Sequence, residues 1–200
     1  MAEERSILLG CGILQQEVRF LVEKKNNWAL DTDFLDSSLH VNFEALSSAL
    51  QSGLARNTGR DIVVFYGSCH PHMEQILDAA HTFRTEGQNC VEMLLGRDRF
   101  MQELANGAFF LLEDWALRWD EVIGKTFGNR AEVTREIFQL SNKYLLCLRT
   151  PCSGDFEQAA IAVGTQVGLP LRWMDVGLDN LESVLRQAIK RNKAISTSSG

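Results

Sequence analysis

The chain has 200 residues, 45% of them hydrophobic and 23% charged, with a formal net charge of −6 at pH 7. A chain of this size and composition builds its own apolar core without disulfides or metal staples. The acidic balance argues against a nucleic-acid binder, which needs clustered Lys and Arg, and no apolar run reaches the roughly 20 residues of a membrane span.

Met1 to Arg5 places acids ahead of the short apolar segment Ile7 to Leu9, whereas a signal peptide starts basic and runs longer. The expectation is a cytoplasmic protein. The five cysteines are odd in number and contain no CxxC pair, which points to free thiols rather than a disulfide framework or a zinc ribbon.

Ser6 to Leu9 reads as a strand entering the tight loop Gly10-Cys11-Gly12. Ile13 to Lys25 has helical spacing, with Val18, Leu21 and Val22 on one face. A short strand is expected near Asp33 to Leu35. Asn42 can cap the next helix, in which Leu46, Leu50 and Leu54 recur every fourth residue. The continuous apolar run within Asp61 to Tyr66 predicts a strand covered on both faces, ending in Gly67-Ser68-Cys69-His70-Pro71. A helix is expected from about His72 to Phe83, another opening at Cys90 with Val91 to Leu95, and a third over Phe100 to Leu104.

Ala108 to Leu112 is strand-like, and Asp114 to Phe127 and Glu132 to Leu140 are helical in pattern. Lys143 to Leu148 is a strand closed by a loop that carries Cys152. The helix Phe156 to Val167, the strand Leu169 to Val176 and a helix from Asp179 to about Arg191 follow. The alternation predicts an α/β fold: a mostly parallel sheet flanked by helices, built from βα units, with a ligand site at the carboxyl ends of the strands. The expected organisation is a single α/β domain over residues 1–192 and a disordered tail over 193–200.

Gly10-Cys11-Gly12 and Gly67-Ser68-Cys69 share one layout: a strand, a glycine, then a thiol near a helix start. Such a position favours a thiolate, the form that binds metals. Cys11, Cys69 and Cys90 are therefore candidate ligands of an iron–sulfur cluster or another soft metal, with His70 and Cys152 as further donors. Gly10, Gly12, Tyr66, Gly67 and Ser68 are candidate cofactor-binding residues of the same loops. The competing reading is that the thiols are small buried hydrophobes. Cys147, inside a strand, is expected to face the core and stay inert. No GxGxxG, Walker, HExxH or GxSxG motif is present.

Several segments, in order, resemble the DUF1638 family of unknown function. They are Ile7 to Val18, Ser38-Leu39-His40 with the helix after it, Val64 to Cys69, Asn89 to Gly96, and Ala108 to Trp119. The chain differs from the family pattern at Gly12, where the family has Glu, and at Asn89, where it has Asp. The resemblance implies a setting beside corrinoid-dependent methyltransferases, hence an accessory role in one-carbon metabolism with a corrinoid protein or methyltransferase as partner. Three readings stay open: a cysteine-ligated cofactor protein, a metal-free enzyme with Cys69 as nucleophile, and a non-catalytic partner of a methyltransferase system.

Overall fold

The computed structural model describes residues 6–128 and 130–198. Met1 to Arg5, on which the expectation about a leader rests, and Ser199 and Gly200 of the tail lie outside the described residues. The described chain is α/β, with two parallel three-stranded sheets, and it divides into two compact units. One unit takes the chain up to Leu94 and again from Asp179 onward; the other is Leu95–Leu178. The sequence shows no composition break at either junction, which is why one domain is expected from it.

In the first unit, β1 (Ser6–Cys11) lies between β2 (Leu30–Leu35) and β3 (Ile62–Phe65), all parallel. β1 and β3 are apolar and buried, as their unbroken runs predict. β2 is longer than expected, and the reason is chemical. Its Asp31 and Asp33 make an edge strand with charged side chains. They pair with Arg60 and Arg56 respectively, the second at 3.1 Å.

A continuous helical stretch joins β1 to β2: a 3₁₀ turn over Gly12–Leu14, α1 (Gln15–Arg19) and a π turn over Phe20–Lys25. α2 (Phe43–Arg56) begins where Asn42 Oδ1 accepts the Ala45 amide at 3.0 Å, and it buries Leu46, Leu50 and Leu54.

α3 (Met73–Ala79) stops short of Phe83. His81 takes a left-handed conformation, φ +53°, while the Thr82 and His81 amides bond back to the Leu77 and Asp78 carbonyls, each at 3.0 Å. That is a Schellman ending built on histidine where glycine is usual. The chain beyond then runs along the free edge of β3. The Thr82 hydroxyl donates to the Ile62 carbonyl at 2.7 Å, and the Thr85 amide donates to the Val64 carbonyl at 2.8 Å. This strap leads into α4 (Cys90–Leu95).

The unit is completed by the last helix (Asp179–Ser198), which returns to it through the Lys25–Glu182 ion pair at 2.7 Å. The segment expected to be a disordered tail thus continues a helix as far as Ser198.

The second unit is built on β4 (Ala108–Leu111), β5 (Tyr144–Arg149) and β6 (Leu171–Asp175), parallel in that order. The predicted helix over Asp114 to Phe127 is two, Glu113–Leu117 and Trp119–Phe127, broken at Arg118. Trp119, Phe109 and Phe138 pack edge to face, with the last two ring centroids 4.9 Å apart. Cys147 is fully buried in this core, as expected from its place inside a strand, and burial pushes its thiol up to about 11. Among the described residues, no helix is long and apolar enough to cross a membrane.

Candidate functional site

Cys11 closes β1 and Tyr66 follows β3 directly, and Gly10 is in register with Phe65. Parallel neighbours end on the same side, so Cys11 and Tyr66 leave the sheet together at its carboxyl edge. β1 is the central strand, and the chain crosses from β2 on one flank to β3 on the other. The connections thus part to opposite sides of β1, and the thiols gather at its carboxyl end.

Two glycines make the approach close enough. A Cβ on Gly12 would lie 2.9 Å from the Leu35 carbonyl oxygen, so glycine lets the loop after β1 rest on the end of β2. A Cβ on Gly67 would lie 2.6 Å from Asn89 Cα and would also strike the Gln88 carbonyl oxygen. In that space the Ser68 amide donates to the Gln88 carbonyl at 2.8 Å. Gly67 is therefore where the Cys69 loop touches the residues just ahead of Cys90.

The start of α4 is pinned by a capping arrangement. Asn89 Oδ1 accepts the Glu92 amide at 2.9 Å, and the buried Glu92 carboxylate accepts the Gln88 amide at 3.1 Å. The Thr85 hydroxyl, 3.1 Å from the Tyr66 carbonyl, ties the strap to the end of β3. Arg84 clamps the strap through the Thr85 and Gly87 carbonyls and through Glu74. The Asn-x-x-Glu spacing of Asn89 and Glu92 is the sequence signal for this cap.

These contacts bring Cys11, Cys69 and Cys90 together. The Cys11 and Cys90 side chains are hydrogen-bonded to each other, and both are buried. That bond, then burial, then the nearby Cys11 and Cys69 hold the Cys90 thiol well above its ordinary value of 9.0. Burial and Cys11 raise Cys69 in turn, against smaller opposing effects from the Gly67 backbone and Arg84. Such shifts favour the neutral thiols. They stabilise the metal-free fold below pH 9.0, and that contribution is lost as pH rises through the higher folded-state values.

Tyr66 stands against the same cluster. Burial first, then Cys11, Cys90, Cys69 and Asp36, push its phenol far up. The residue is 1% exposed, and its hydroxyl is buried without a hydrogen-bond partner. Asp36 caps the turn after β2 by accepting the Ser38 amide at 2.8 Å. Neither Asp36 nor Glu92 is among the sequence candidates.

The other candidates are placed differently. Gly10 lies buried within β1, and Ser68 contributes its amide while its side chain is exposed. His70 is packed edge to face on Phe43, 5.6 Å between centroids, and its Nδ1 accepts the His72 amide at 3.0 Å. It lines a groove of about 900 Å³ bordered by α2 and α3. Cys152 belongs to the second unit, where its amide donates to Thr150 Oγ1 at 3.1 Å. Among the described residues, no three His, Cys, Asp or Glu side chains stand ready-arranged to hold a metal ion.

A family model described as "Protein of unknown function (DUF1638)" matches residues 34–185. No curated protein and no solved structure matches the chain.

Proposed function

The chain belongs to the DUF1638 family, and from that starting point we propose that it is a cofactor protein in which Cys11, Cys69 and Cys90 bind a soft metal ion or an iron–sulfur cluster. The observation that carries this reading is the meeting of three thiols from three separate segments at one sheet edge. Their chemistry fits the group, since thiolates select soft and borderline metals.

The same observation weighs against a cysteine nucleophile. Catalysis by a lone thiol needs a lowered pKa or an adjacent base, and here Cys69 and Cys90 are both raised. A cation reverses that balance, because it stabilises the thiolates that the metal-free cluster disfavours. In the corrinoid-linked methyl-transfer setting that the family resemblance implies, such a protein serves as an accessory to a corrinoid protein or methyltransferase.

The test is anaerobic titration of the reduced protein with Co(II). The expected result is one ion per chain with an intense sulfur-to-metal charge-transfer band. Because Cys69 and Cys90 stay protonated at neutral pH, uptake releases protons and tightens as pH rises, by about tenfold per pH unit for each thiol proton displaced. Weak uptake with no charge-transfer band and no pH dependence contradicts the reading.

A further inference from the structure

The Tyr66 hydroxyl is anomalous in the metal-free protein. Buried polar groups are normally hydrogen-bonded, yet this one has no partner although its ring is almost fully enclosed. Phenylalanine fills nearly the same space without burying an unsatisfied hydroxyl. The register of Gly10 with Phe65 sets Cys11 beside Tyr66 at the sheet edge, and after burial the titratable groups whose charge bears on the phenol are Cys11, Cys90, Cys69 and Asp36. A neutral thiol is a weak acceptor. A thiolate is a strong one, because a hydrogen bond to an ionised acceptor is shorter and stronger than one between neutral groups.

We propose that the Tyr66 hydroxyl is a positioning group that donates a hydrogen bond to a metal-bound thiolate of the cluster, first of all Cys11, and so finds in the loaded state the partner it lacks in the metal-free one. The inference rests on the metal-binding reading. It extends that reading by giving the site a fourth functional side chain, one that offsets thiolate charge and raises affinity for the metal without binding it. Partners of this kind, one layer out from the metal, commonly tune affinity and ligand charge.

The proposal predicts two effects of opposite sign for Tyr66→Phe. The metal-free variant melts at the same temperature as the wild type or higher, since an unsatisfied hydroxyl has been removed. The same variant binds Co(II) at unchanged stoichiometry but about tenfold or more weaker, with a shifted charge-transfer band. A merely structural tyrosine gives the reverse pattern, a lower melt with unchanged affinity and spectrum, and that result overturns the proposal.

An independent measurement does not depend on how Tyr66→Phe folds. The chain has two tyrosines, and the other, Tyr144, already donates to the Glu103 carboxylate at 2.6 Å. In a Tyr144→Phe background, the phenol C–O vibration reports Tyr66 alone. It is expected to shift on Co(II) loading, and an unshifted band in loaded protein overturns the proposal. Failure of the wild type to take up Co(II) removes the metal-binding reading itself, and the proposal with it. Uptake with an unresponsive Tyr66 removes the proposal alone.

Discussion

Cys69→Ala is expected to abolish stoichiometric metal uptake while leaving the melting temperature of the metal-free protein nearly unchanged. Cys69 is only half-buried and sits in a loop, so truncation opens little cavity. Its raised thiol marks a group that must lose its proton before it ligates. Loss of one of three ligands should exceed the roughly 10- to 100-fold affinity loss seen when an outer partner of a ligand is removed. Leu50→Ala is the matching control. Leu50 is 0% exposed on α2, so its truncation should cost about 2–5 kcal/mol of stability and leave metal stoichiometry intact. Melts and metal content on the same preparations compare the two. A variant at Cys69 that melts far lower and keeps its metal identifies a packing residue.

Gly67→Ala is expected to damage stability and metal affinity together. The added Cβ meets backbone on both Gln88 and Asn89, which cannot rotate aside as a side chain can. The strap must move away from β3, and the bond from the Ser68 amide to the Gln88 carbonyl is lost. Overpacking of this kind costs about 1–3 kcal/mol. Because Cys90 follows Asn89 directly, the shift also separates its sulfur from those of Cys11 and Cys69. The signature is a lowered melt with weakened Co(II) binding, distinct from both Cys69→Ala and Leu50→Ala. Unchanged affinity in a destabilised Gly67→Ala protein would show that this contact does not position Cys90.

Much of this arrangement is legible in the residues, for reasons that differ by element. β1 and β3 are readable because strands buried on both faces are apolar throughout. α2 is readable from Leu46, Leu50 and Leu54 together with the Asn42 cap. β2 is half-hidden because, at the sheet edge, it carries Asp31 and Asp33, paired with arginines that follow α2 or end it, in place of an unbroken apolar run. The end of α3 is obscured because a left-handed histidine does the work of glycine.

At the site, Cys11 and Cys69 stand out by the repeated strand, glycine and thiol order, and Cys90 by its helix start. Their convergence is a tertiary fact. It depends on the Thr82 to Gln88 strap lying along β3 and on the bare Cα of Gly67, neither of which has a periodicity to read. His70 illustrates the opposite case: its type and position make it a plausible ligand, and its packing on Phe43 appears only in the fold.

The most direct test of the central claim is a count of sulfur ligands by X-ray absorption on the Zn(II)-loaded, anaerobically reduced protein. The account predicts a first shell dominated by sulfur at about 2.3 Å, three per metal, and no such three-sulfur shell in protein carrying Cys11→Ala, Cys69→Ala or Cys90→Ala. A shell of nitrogen and oxygen alone at about 2.0–2.1 Å, or a sulfur count that survives all three substitutions, would contradict it.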